Sequence, residues 1–470
     1  MKPLISKTWP FVEQILAKHP QAEIFIVGGA VRDHLLGLPV KDYDFVVRGV
    51  PMDTLAETLQ PLGKTDIVGK RFGVIKFRPS GQDDFIDIAL PRKEFSWAFT
   101  GGYRDFDIQS DPQLPIEQDL SRRDFTVNAM AYDLRQHVIV DPFFGQKDLA
   151  SKVLRTVGPA ALRFQEDYSR MLRGIRFACR LGFALSDTTA EAIKKLGYHL
   201  NDRIGEEWVV SREIIGQEFC KAFDADDTRC LSLLDECGLL AVLLPEVKAL
   251  QACKQTPPHH TEGTAYDHLL LALKSTHSKP FRTHFPDPIP LTSKMAILFH
   301  DLGKPQAATE QDGIIHFYGH EEIGARLTKE ICDRLVIDAK PLVWIVREHL
   351  FAITHKDVSI SATTLEEYFF SARNPGPSLL HCMLADQLAS LPQKPEIEPS
   401  PIERLLAQLK MLAPDGKLPP PLISGADVLE WLAIKPGPRV AQLLQAVREE
   451  QLLGRLTDKE AAKAFLKNHV

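Results

Sequence analysis

The sequence has few cysteines, no long apolar run and no excess of positive charge. Its seven cysteines among 470 residues are scattered, odd in number and never spaced C-x-x-C, so they indicate neither a disulfide framework nor a zinc knuckle. The N-terminus has no apolar signal core and no stretch approaches membrane-spanning length, so we expect a cytoplasmic protein without membrane contact. The net charge of −6 argues against indiscriminate binding to polyanions.

The most informative segment is a short apolar run that ends at two glycines. Residues 23–27 are β-rich and apolar, which predicts a buried strand leading into Gly28 and Gly29. From Ala30 onward the apolar spacing is helical, so the glycines precede a helix N-terminus, which favours bound anions. Because glycine has no Cβ, a triphosphate can approach the backbone at this turn.

A pair of carboxylates follows this helix. Residues 43–47 predict a second strand, and alternation along it places Asp42 and Asp44 on one face, where two carboxylates can bridge two hard cations. Two such ions stabilise the attacking and leaving oxygens of an in-line phosphoryl displacement. Asp87, on a neighbouring predicted strand, is the candidate third carboxylate. Either motif alone would suggest an exposed turn, but strand, turn, helix and paired acids in this order favour a nucleotidyltransferase site.

Two later segments add arginines and a candidate base selector. Arg122 and Arg123 are adjacent forked donors suited to a triphosphate. The run 163–177 predicts helix, with Asp167 and Arg170 on one face. A carboxylate that accepts from an exocyclic amine and a guanidinium that donates to the ring nitrogen would admit cytosine and adenine and reject uracil and guanine. An ordinary helical ion pair is the alternative.

In combination, these motifs resemble the class II tRNA nucleotidyltransferases, which add the 3′-terminal CCA, and the related bacterial poly(A) polymerases. The resemblance implies an α+β fold, with a small mixed β-sheet nucleotidyltransferase head followed by all-helical neck, body and tail regions. It also implies CTP and ATP as substrates, the tRNA 3′ end as the partner, and Mg²⁺ at Asp42 and Asp44.

The motifs and the resemblance together predict a set of nucleotide-binding residues. They are Gly28, Gly29, Arg32, Asp33, Arg122, Arg123, Asp124, Asn128, Glu166, Asp167, Arg170, Arg173 and Arg176. Of these, Glu166, Asp167 and Arg170 would select the base, whereas Arg173 and Arg176 lie on a basic helical face that could meet triphosphate and RNA. The stretch 95–116, which contains Gly and Asp residues from 100 to 105, looks like the family's flexible loop.

The second half of the chain carries histidines and aspartates on several predicted helices. Imidazole and carboxylate donors gathered from several helices suit a divalent transition metal that activates water. Their order resembles the HD phosphohydrolase superfamily, which implies a ligand set and Mn²⁺, Ni²⁺ or Mg²⁺ as the metal. The matching ligands are His268, His300, Asp301 and Asp386, with His320 and His349 as the extra histidines of some members.

Proline-rich breaks and the motif order predict four regions. These are a catalytic head over 1–150, a helical neck and body for base selection and RNA binding over 151–255, an HD phosphohydrolase domain over 256–395, and a helical tail over 396–470. Within the HD region, residues 279–290 are expected to form a long loop.

The functional hypothesis is a template-independent tRNA nucleotidyltransferase that adds or repairs CCA from CTP and ATP and has a metal-dependent HD phosphohydrolase activity. Two alternatives share the head: a poly(A) polymerase, and a partial enzyme that adds only A or only CC. A third alternative is chiefly an HD phosphohydrolase with an RNA-binding head. Nothing in the sequence indicates the oligomeric state.

Overall fold

The computed structural model describes residues 8–40, 42–68, 73–96, 101–102, 106–257, 261–356, 358–390 and 400–468, without the side chains of 94–96 and 106–108. The chain forms two compact units, Met1–Leu243 and Leu244–Val470. The four regions expected from the sequence divide the chain more finely and stay a prediction. Of the segment expected to be the flexible loop, residues 97–100 and 103–105 lie outside the described residues.

The first unit is built on a mixed β-sheet. The strands of the first unit are β1 (Glu23–Val27), β2 (Asp44–Arg48), β3 (Gly63–Val68), β4 (Val74–Pro79), β5 (Ile86–Ala89), β6 (Arg92–Ser96), β7 (Phe106–Ser110), β8 (Ala131–Asp133), β9 (Ile139–Val140), β10 (Val153–Leu154), β11 (Ala184–Leu185), β12 (Arg203–Ile204) and β13 (Glu207–Trp208). The main sheet of the described chain has the order β3-β4-β5-β2-β1-β8-β9. Strands β2 and β5 run parallel, and the other neighbours are antiparallel.

Strand β1 lies inside this sheet because its side chains are apolar on both faces. Four of its five residues are buried. On one side of the sheet, Trp9 and Phe11 pack edge-to-face on Phe45, with ring centroids 5.2 and 5.1 Å apart. Such aromatic pairs contribute about 0.5–1.5 kcal/mol each beyond the area that they bury. Strand β2, which carries Phe45 and pairs with the strand that leads to the glycine turn, is therefore held firmly.

The helices of the first unit surround the sheet and continue beyond it. They are α1 (Pro10–Lys18), α2 (Gly29–Leu35), α3 (Met52–Leu59), α4 (Ile116–Ser121), α5 (Gly145–Ala150), α6 (Ala160–Glu166), α7 (Ser169–Leu181), α8 (Asp187–Leu196), α9 (Arg212–Ala225), α10 (Asp227–Glu236) and α11 (Leu239–Leu243).

The expectation of one continuous helix over 163–177 was wrong. Helix α6 ends at Glu166, Asp167 is extended with φ −154° and ψ 106°, and α7 begins at Ser169. The Asp167 carboxylate accepts a hydrogen bond from the backbone N–H of Ser169 at 2.9 Å. Aspartate competes with helical hydrogen bonding in this way, which explains the break.

The second unit is almost entirely helical. Its elements are α12 (Pro245–Ala249), α13 (Ala265–Ser275), α14 (Lys279–His284), α15 (Leu291–Phe299), α16 (Lys304–Ala307), β14 (Thr309–Gln311), β15 (Ile314–His316), α17 (His320–Leu335), α18 (Ala339–Glu348), α19 (Phe351–Thr354), α20 (Ala362–Phe369), α21 (Gly376–Ala389), α22 (Pro401–Leu412), α23 (Gly425–Leu432), α24 (Pro438–Leu452) and α25 (Lys459–Asn468). Helices α23, α24 and α25 share a small core of their own that includes Val428, Val447 and Leu466.

The segment 279–290, expected to be a loop throughout, contains helix α14. The Ser278 hydroxyl caps this helix by accepting from the N–H of Phe281, and a proline stands in its first turn. Both features favour a helix start, so the proline that suggested a loop marks the beginning of a short helix instead. Among the described helices, none is both long and apolar enough to cross a lipid bilayer.

Candidate active site and candidate metal centre

A cleft of about 830 Å³ in the first unit gathers most of the residues predicted to bind a nucleotide, and we call it the head cleft. The predicted residues that line it are Gly28, Gly29, Arg32, Asp33, Asp42, Asp44, Arg122, Arg123, Asp124, Asn128, Asp167, Arg170, Arg173 and Arg176. Two predicted residues of the first unit are not among the described residues that line the cleft, namely Asp87 and Glu166. Sequence reasoning missed Arg92, Gln217 and Glu218, which line the cleft but belong to none of the motifs.

The glycine turn has a geometry that only glycine accommodates. Gly28 has φ +69° and ψ −125° and precedes α2. A Cβ added at Gly28 would lie 2.6 Å from Nη1 of Arg123. The absence of a side chain at Gly28 therefore allows the Arg123 guanidinium to lie directly against the turn.

The three predicted carboxylates lie on or beside two neighbouring strands. Asp44 of β2 is in register with Asp87 of the parallel strand β5, and Asp42 lies two residues before Asp44. The pKa of Asp44 is raised, first by partial withdrawal from water in the cleft and then by the charges of Asp87 and Asp42, whereas Arg123 opposes the shift. Three carboxylates whose charges disfavour one another are what a binding site for hard cations requires.

A buried aspartate that the sequence analysis did not single out holds both arginines of the Arg-Arg motif. The Asp119 side chain is fully buried and lies 2.9 Å from Arg122 Nη2 and 3.5 Å from Arg123 Nη2. Burial alone would raise the pKa of Asp119, but the charges of the two arginines lower it. The spacings i,i+3 and i,i+4 along the end of α4 were the signal in the sequence that could have identified this pairing.

A chain of hydrogen bonds joins the glycine-turn helix to α7. Arg32 donates from Nη1 to Asn128 Oδ1 at 2.6 Å, and Asn128 donates from Nδ2 to Asp124 Oδ1 at 3.2 Å. Asp124 in turn accepts on Oδ2 from Nε and Nη2 of Arg173, at 2.9 and 2.7 Å. Arg32, Asp124 and Asn128 are all buried, so these predicted site residues position one another as well as bordering the cleft.

The candidate base selector lies at the break between α6 and α7. Arg170 donates from Nη1 to Glu166 Oε2 at 2.6 Å, and its Nε lies 4.0 Å from Asp167 Oδ2. Glu166 also accepts from Arg163 at 2.9 Å. Arg170 is therefore oriented mainly by Glu166, while Asp167 accepts from the N–H of Ser169 at the start of α7 and lines the cleft.

The basic side of α7 faces this cleft. Arg170, Arg173, Arg176 and Arg180 all belong to its lining. Arg176 is fixed by an ion pair of 2.5 Å with Glu218 of α9 and lies over the Phe177 ring, 4.1 Å from its centroid. Because Glu218 lies 42 residues after Arg176, the sequence alone gave no sign of this pairing.

The second unit brings together all six residues predicted for the metal centre, and we call them the HD centre. They form two neighbouring groups, His268 with His300 and Asp386, and Asp301 with His320 and His349. Within each group the possible ligand atoms lie within 4.8 Å of one another. Five helices supply these ligands at or near their ends, namely α13, α15, α17, α18 and α21.

Close helix packing at the HD centre depends on a glycine. A Cβ added at Gly303 would lie 2.0 Å from the carbonyl oxygen of His320 and 2.8 Å from the backbone nitrogen of Gly324. Only a residue without a side chain lets the start of α17 approach the His300-Asp301 turn this closely. This contact brings His320 to 3.5 Å from Asp301, measured from Nε2 to Oδ1.

The electrostatics at Asp301 and His349 fit a bound cation. Burial and the neighbouring His320 and His300 lower the pKa of His349 to about 3, so this ring is held neutral, as a metal ligand must be. Burial opposes ionisation of Asp301, but the charges of His300 and Lys304 lower the pKa of this carboxyl. Within the described part of the chain, the buried Nε2 of His300 has no hydrogen-bond partner, although Asp301 Oδ2 is 3.2 Å away. A metal ion would satisfy that nitrogen.

Comparisons with known families identify the domains that contain these two candidate sites. The family model for the poly A polymerase head domain matches residues 24–155, and the HD domain model matches residues 259–391. Nucleotidyltransferase and HD domains are metal-dependent in general.

Solved structures with the same fold include the Bacillus stearothermophilus CCA-adding enzyme in complex with CTP. It has a TM-score of 0.63 and is 24% identical, and the match covers 100% of this chain and 98% of the enzyme's chain. The Thermotoga maritima CCA-adding enzyme complexed with tRNA has a TM-score of 0.62, is 20% identical and shows the same coverage of 100% and 98%.

Curated relatives are closer in sequence. The Multifunctional CCA protein of Neisseria gonorrhoeae is 38% identical over 315 residues, which span 67% of this chain and 69% of the relative. The Multifunctional CCA protein of Chromobacterium violaceum is 39% identical over 331 residues, which span 70% of this chain and 74% of the relative. The α+β fold, the nucleotidyltransferase head and the HD domain expected from the sequence are thereby confirmed, and the chain belongs to the family of the multifunctional CCA proteins.

Proposed function

We propose that this chain adds or repairs the 3′-terminal CCA of tRNA from CTP and ATP, without a nucleic-acid template. The observation that carries the proposal is that Asp42 and Asp44 line the same cleft as Asp167 and Arg170. Carboxylates for nucleotidyl transfer and a donor–acceptor pair for a base edge thus border one cavity. Relatives that bear the name Multifunctional CCA protein support this assignment over the two alternatives that share the head.

The residues of the head cleft divide the work by their chemistry. Asp42, Asp44 and Asp87 would hold Mg²⁺, which when bound supplies the positive charge needed for transfer of a nucleotidyl group to a 3′-hydroxyl. Arg122 and Arg123, anchored by Asp119, present forked donors to the triphosphate beside the Gly28 turn. The pyrophosphate would therefore leave against fixed positive charge.

Base choice would be made by the protein at the start of α7. The Asp167 carboxylate would accept from the exocyclic amine that cytosine and adenine share, and Arg170 would donate to the adjacent unprotonated ring nitrogen. Uracil and guanine present a carbonyl and an N–H at these positions, so both contacts would fail. Glu166 supports this arrangement because it orients Arg170 at 2.6 Å.

An incorporation assay tests this function. The full chain is incubated with Mg²⁺ and a tRNA that ends at the discriminator base, with labelled CTP, ATP, UTP or GTP, alone and in combination. We expect two C and one A to be added in order. Long A tails would identify a poly(A) polymerase, and addition of only A to a CC end, or of only CC, would identify a partial enzyme. Absence of any incorporation would overturn the proposal.

For the second unit we propose a metal-dependent phosphohydrolase activity. The mixture of imidazole and carboxylate donors in the HD centre favours Mn²⁺ or Ni²⁺ over Mg²⁺, which prefers oxygen ligands. Hydrolysis of a phosphate monoester and of a cyclic nucleotide, measured with each of these three ions after removal of bound metal by a chelator, tests the activity. We expect activity that returns with a transition metal and is lost in Asp301→Asn.

The alternative in which the HD centre is the main activity and the head only binds RNA makes a distinct prediction. Substitution of Asp42 and Asp44 would leave all catalysis intact under that alternative, whereas under our proposal it abolishes CTP incorporation and leaves phosphohydrolysis unchanged.

We also infer the division into regions 1–150, 151–255, 256–395 and 396–470, in which the tail is supported by its own core. Because tRNA is the proposed substrate, we place the reaction in the cytoplasm.

A further inference from the structure

The four histidines of the HD centre differ in the hydrogen-bond partner of Nδ1, the ring nitrogen that faces away from the other ligands. In three of them, Nδ1 donates to a backbone carbonyl three residues earlier in the chain. These bonds are His300 to Ile297 at 2.8 Å, His320 to Phe317 at 2.7 Å and His349 to Val346 at 2.6 Å. A neutral carbonyl fixes the ring orientation and places the proton on Nδ1, but it brings no charge to the ligand.

His268 is the described exception among these four. Its Nδ1 lies 2.8 Å from Oε1 of Glu262, a residue that precedes α13. Its Nε2 lies 2.9 Å from Asp386 Oδ1, within the first ligand group. The side chains of both His268 and Glu262 are fully buried. A buried carboxylate is costly unless it has a dedicated partner, so this arrangement calls for a reason beyond solvation.

A carboxylate behind a metal-binding imidazole has a known physical effect. It fixes the proton on the nitrogen that it faces, presents the other nitrogen to the metal, and raises the basicity of the ligand. We propose that Glu262 is a positioning residue of the HD centre, which directs Nε2 of His268 toward the metal and strengthens metal binding by the group of His268, His300 and Asp386. This inference rests on the proposed metal-dependent function of that centre.

Glu321 provides a matched control within the same centre. Its Oε2 lies 3.6 Å from Nδ1 of His320, but that nitrogen already donates to the carbonyl of Phe317 at 2.7 Å. Glu321 is therefore a carboxylate beside a ligand histidine without being its hydrogen-bond acceptor. Removal of its charge should affect metal binding far less than removal of the charge of Glu262.

The test is a Mn²⁺ titration of the full chain after complete removal of metal, read by calorimetry and by the metal content of the dialysed protein. We expect Glu262→Gln to weaken the affinity for Mn²⁺ about tenfold and Glu262→Ala by up to about a hundredfold, the range found for such outer partners. Glu321→Gln should change the affinity less than twofold. Equal effects of Glu262→Gln and Glu321→Gln, or no effect of either, would overturn the proposal.

A double-substitution cycle separates positioning from general stabilisation. If Glu262 acts through His268, adding Glu262→Gln to a His268→Gln chain should cause no further loss of Mn²⁺ affinity. If the two substitutions instead lower the Mn²⁺ affinity additively, Glu262 acts in another way and the proposal is overturned.

CTP incorporation by the head and the unfolding of the metal-free protein monitor folding of each variant. If the unsubstituted chain binds no Mn²⁺, the proposed function of the HD centre fails together with this inference. If the unsubstituted chain binds Mn²⁺ and Glu262→Gln binds it with the same affinity, the inference alone is refuted.

Discussion

Arg173 on α7 donates from both Nε and Nη2 to the same oxygen of Asp124, a buried residue 49 positions earlier in the chain. The other oxygen of Asp124 accepts from Asn128 at 3.2 Å and from the N–H of Phe125 at 2.8 Å. This one carboxylate therefore links the segment after the Arg-Arg motif to the helix that borders the candidate base selector. The geometry of the head cleft depends on that link.

The first prediction concerns the stability of this link. Arg173→Met leaves the buried carboxylate of Asp124 without its charged partner and should lower the free energy of unfolding of the first unit by about 1–3 kcal/mol. Urea denaturation of the full chain measures this change in the free energy of unfolding. Arg180→Met is the matched control, because Arg180 lines the same cleft but lies 3.4 Å from Asp33 and is half exposed, so it should cost under about 0.5 kcal/mol. Equal losses in the two variants would refute the importance of the link.

The second prediction is the pH dependence of the same pair. Burial would raise the pKa of Asp124, but Arg173 and Asn128 lower it below its usual value of 3.8. A carboxyl group whose pKa is lowered on folding stabilises the protein fully above the unfolded value and loses that contribution as the pH falls through the lowered value. Arg173→Met should therefore unfold at a higher pH than the unsubstituted chain during acid titration. Coincident acid transitions, followed by circular dichroism, would contradict this expectation.

The third prediction isolates the role of Gly28. Gly28→Ala must place an alanine at φ +69° and displace Arg123 Nη1, which lies 2.6 Å from the added Cβ position. We expect a loss of about 1–3 kcal/mol of stability from the backbone and at least a tenfold rise in KM for CTP, since a charge-assisted hydrogen bond contributes about 1.5–3 kcal/mol. Gly37→Ala has nearly the same φ, +68°, and among the described residues no atom beyond its two chain neighbours lies within 4 Å of the added Cβ. It should lose stability and keep its KM, and a raised KM in both variants would mean that Arg123 is not the cause.

Local patterns in the sequence were sufficient for strands β1, β2 and β5 and for the glycine turn. The order of the histidines and aspartates also singled out the six residues that the HD centre brings together, whose role as metal ligands stays a prediction. Strand β1 was predicted at residues 23–27, and Asp87 was predicted to lie on a strand next to Asp44, which the register of β2 and β5 confirms. Each prediction depended on residues close together in the chain or on alternation along a strand. The α+β fold followed from the family resemblance that these motifs support.

Contacts between distant segments could not be predicted in the same way. The pairs Arg176 with Glu218 and Arg173 with Asp124 join residues 42 and 49 positions apart, and no local pattern marks them. The break at Asp167 was missed because the apolar spacing through this segment is helical, whereas a single side-chain hydrogen bond to Ser169 interrupts the helix. Individual polar contacts thus decided the details of the head cleft.

The fourth prediction separates the two activities. Asp44→Asn should lower CTP incorporation on the order of a thousandfold, because a correctly held metal ion contributes several kcal/mol of charge stabilisation. Phosphohydrolysis by the HD centre should not change. Asp66→Asn is the matched control, since Asp66 is an exposed carboxylate on β3 that is absent from the described lining of the head cleft. If Asp44→Asn incorporates CTP as Asp66→Asn does, the head carboxylates have no catalytic role.

The fifth prediction concerns the choice between bases. Asp167→Asn replaces a carboxylate that can only accept with an amide that can also donate, so it can face the carbonyl of uracil as readily as the amine of cytosine. The ratio of kcat/KM for CTP to that for UTP should fall roughly 10- to 100-fold, the range expected when one base-edge contact worth about 1–3 kcal/mol is lost. Single-nucleotide incorporation with each triphosphate measures the ratio.

Glu166→Gln is the control for this fifth prediction. Glu166 lies outside the described lining of the head cleft and touches Arg170 at 2.6 Å and Arg163 at 2.9 Å. It therefore orients a donor but offers no acceptor to the base. Loosening Arg170 should reduce kcat/KM for CTP and ATP together, because both bases use the same ring-nitrogen contact, and should change the CTP to UTP ratio less than Asp167→Asn does. A larger change of that ratio in Glu166→Gln would transfer the acceptor role from Asp167 to Glu166.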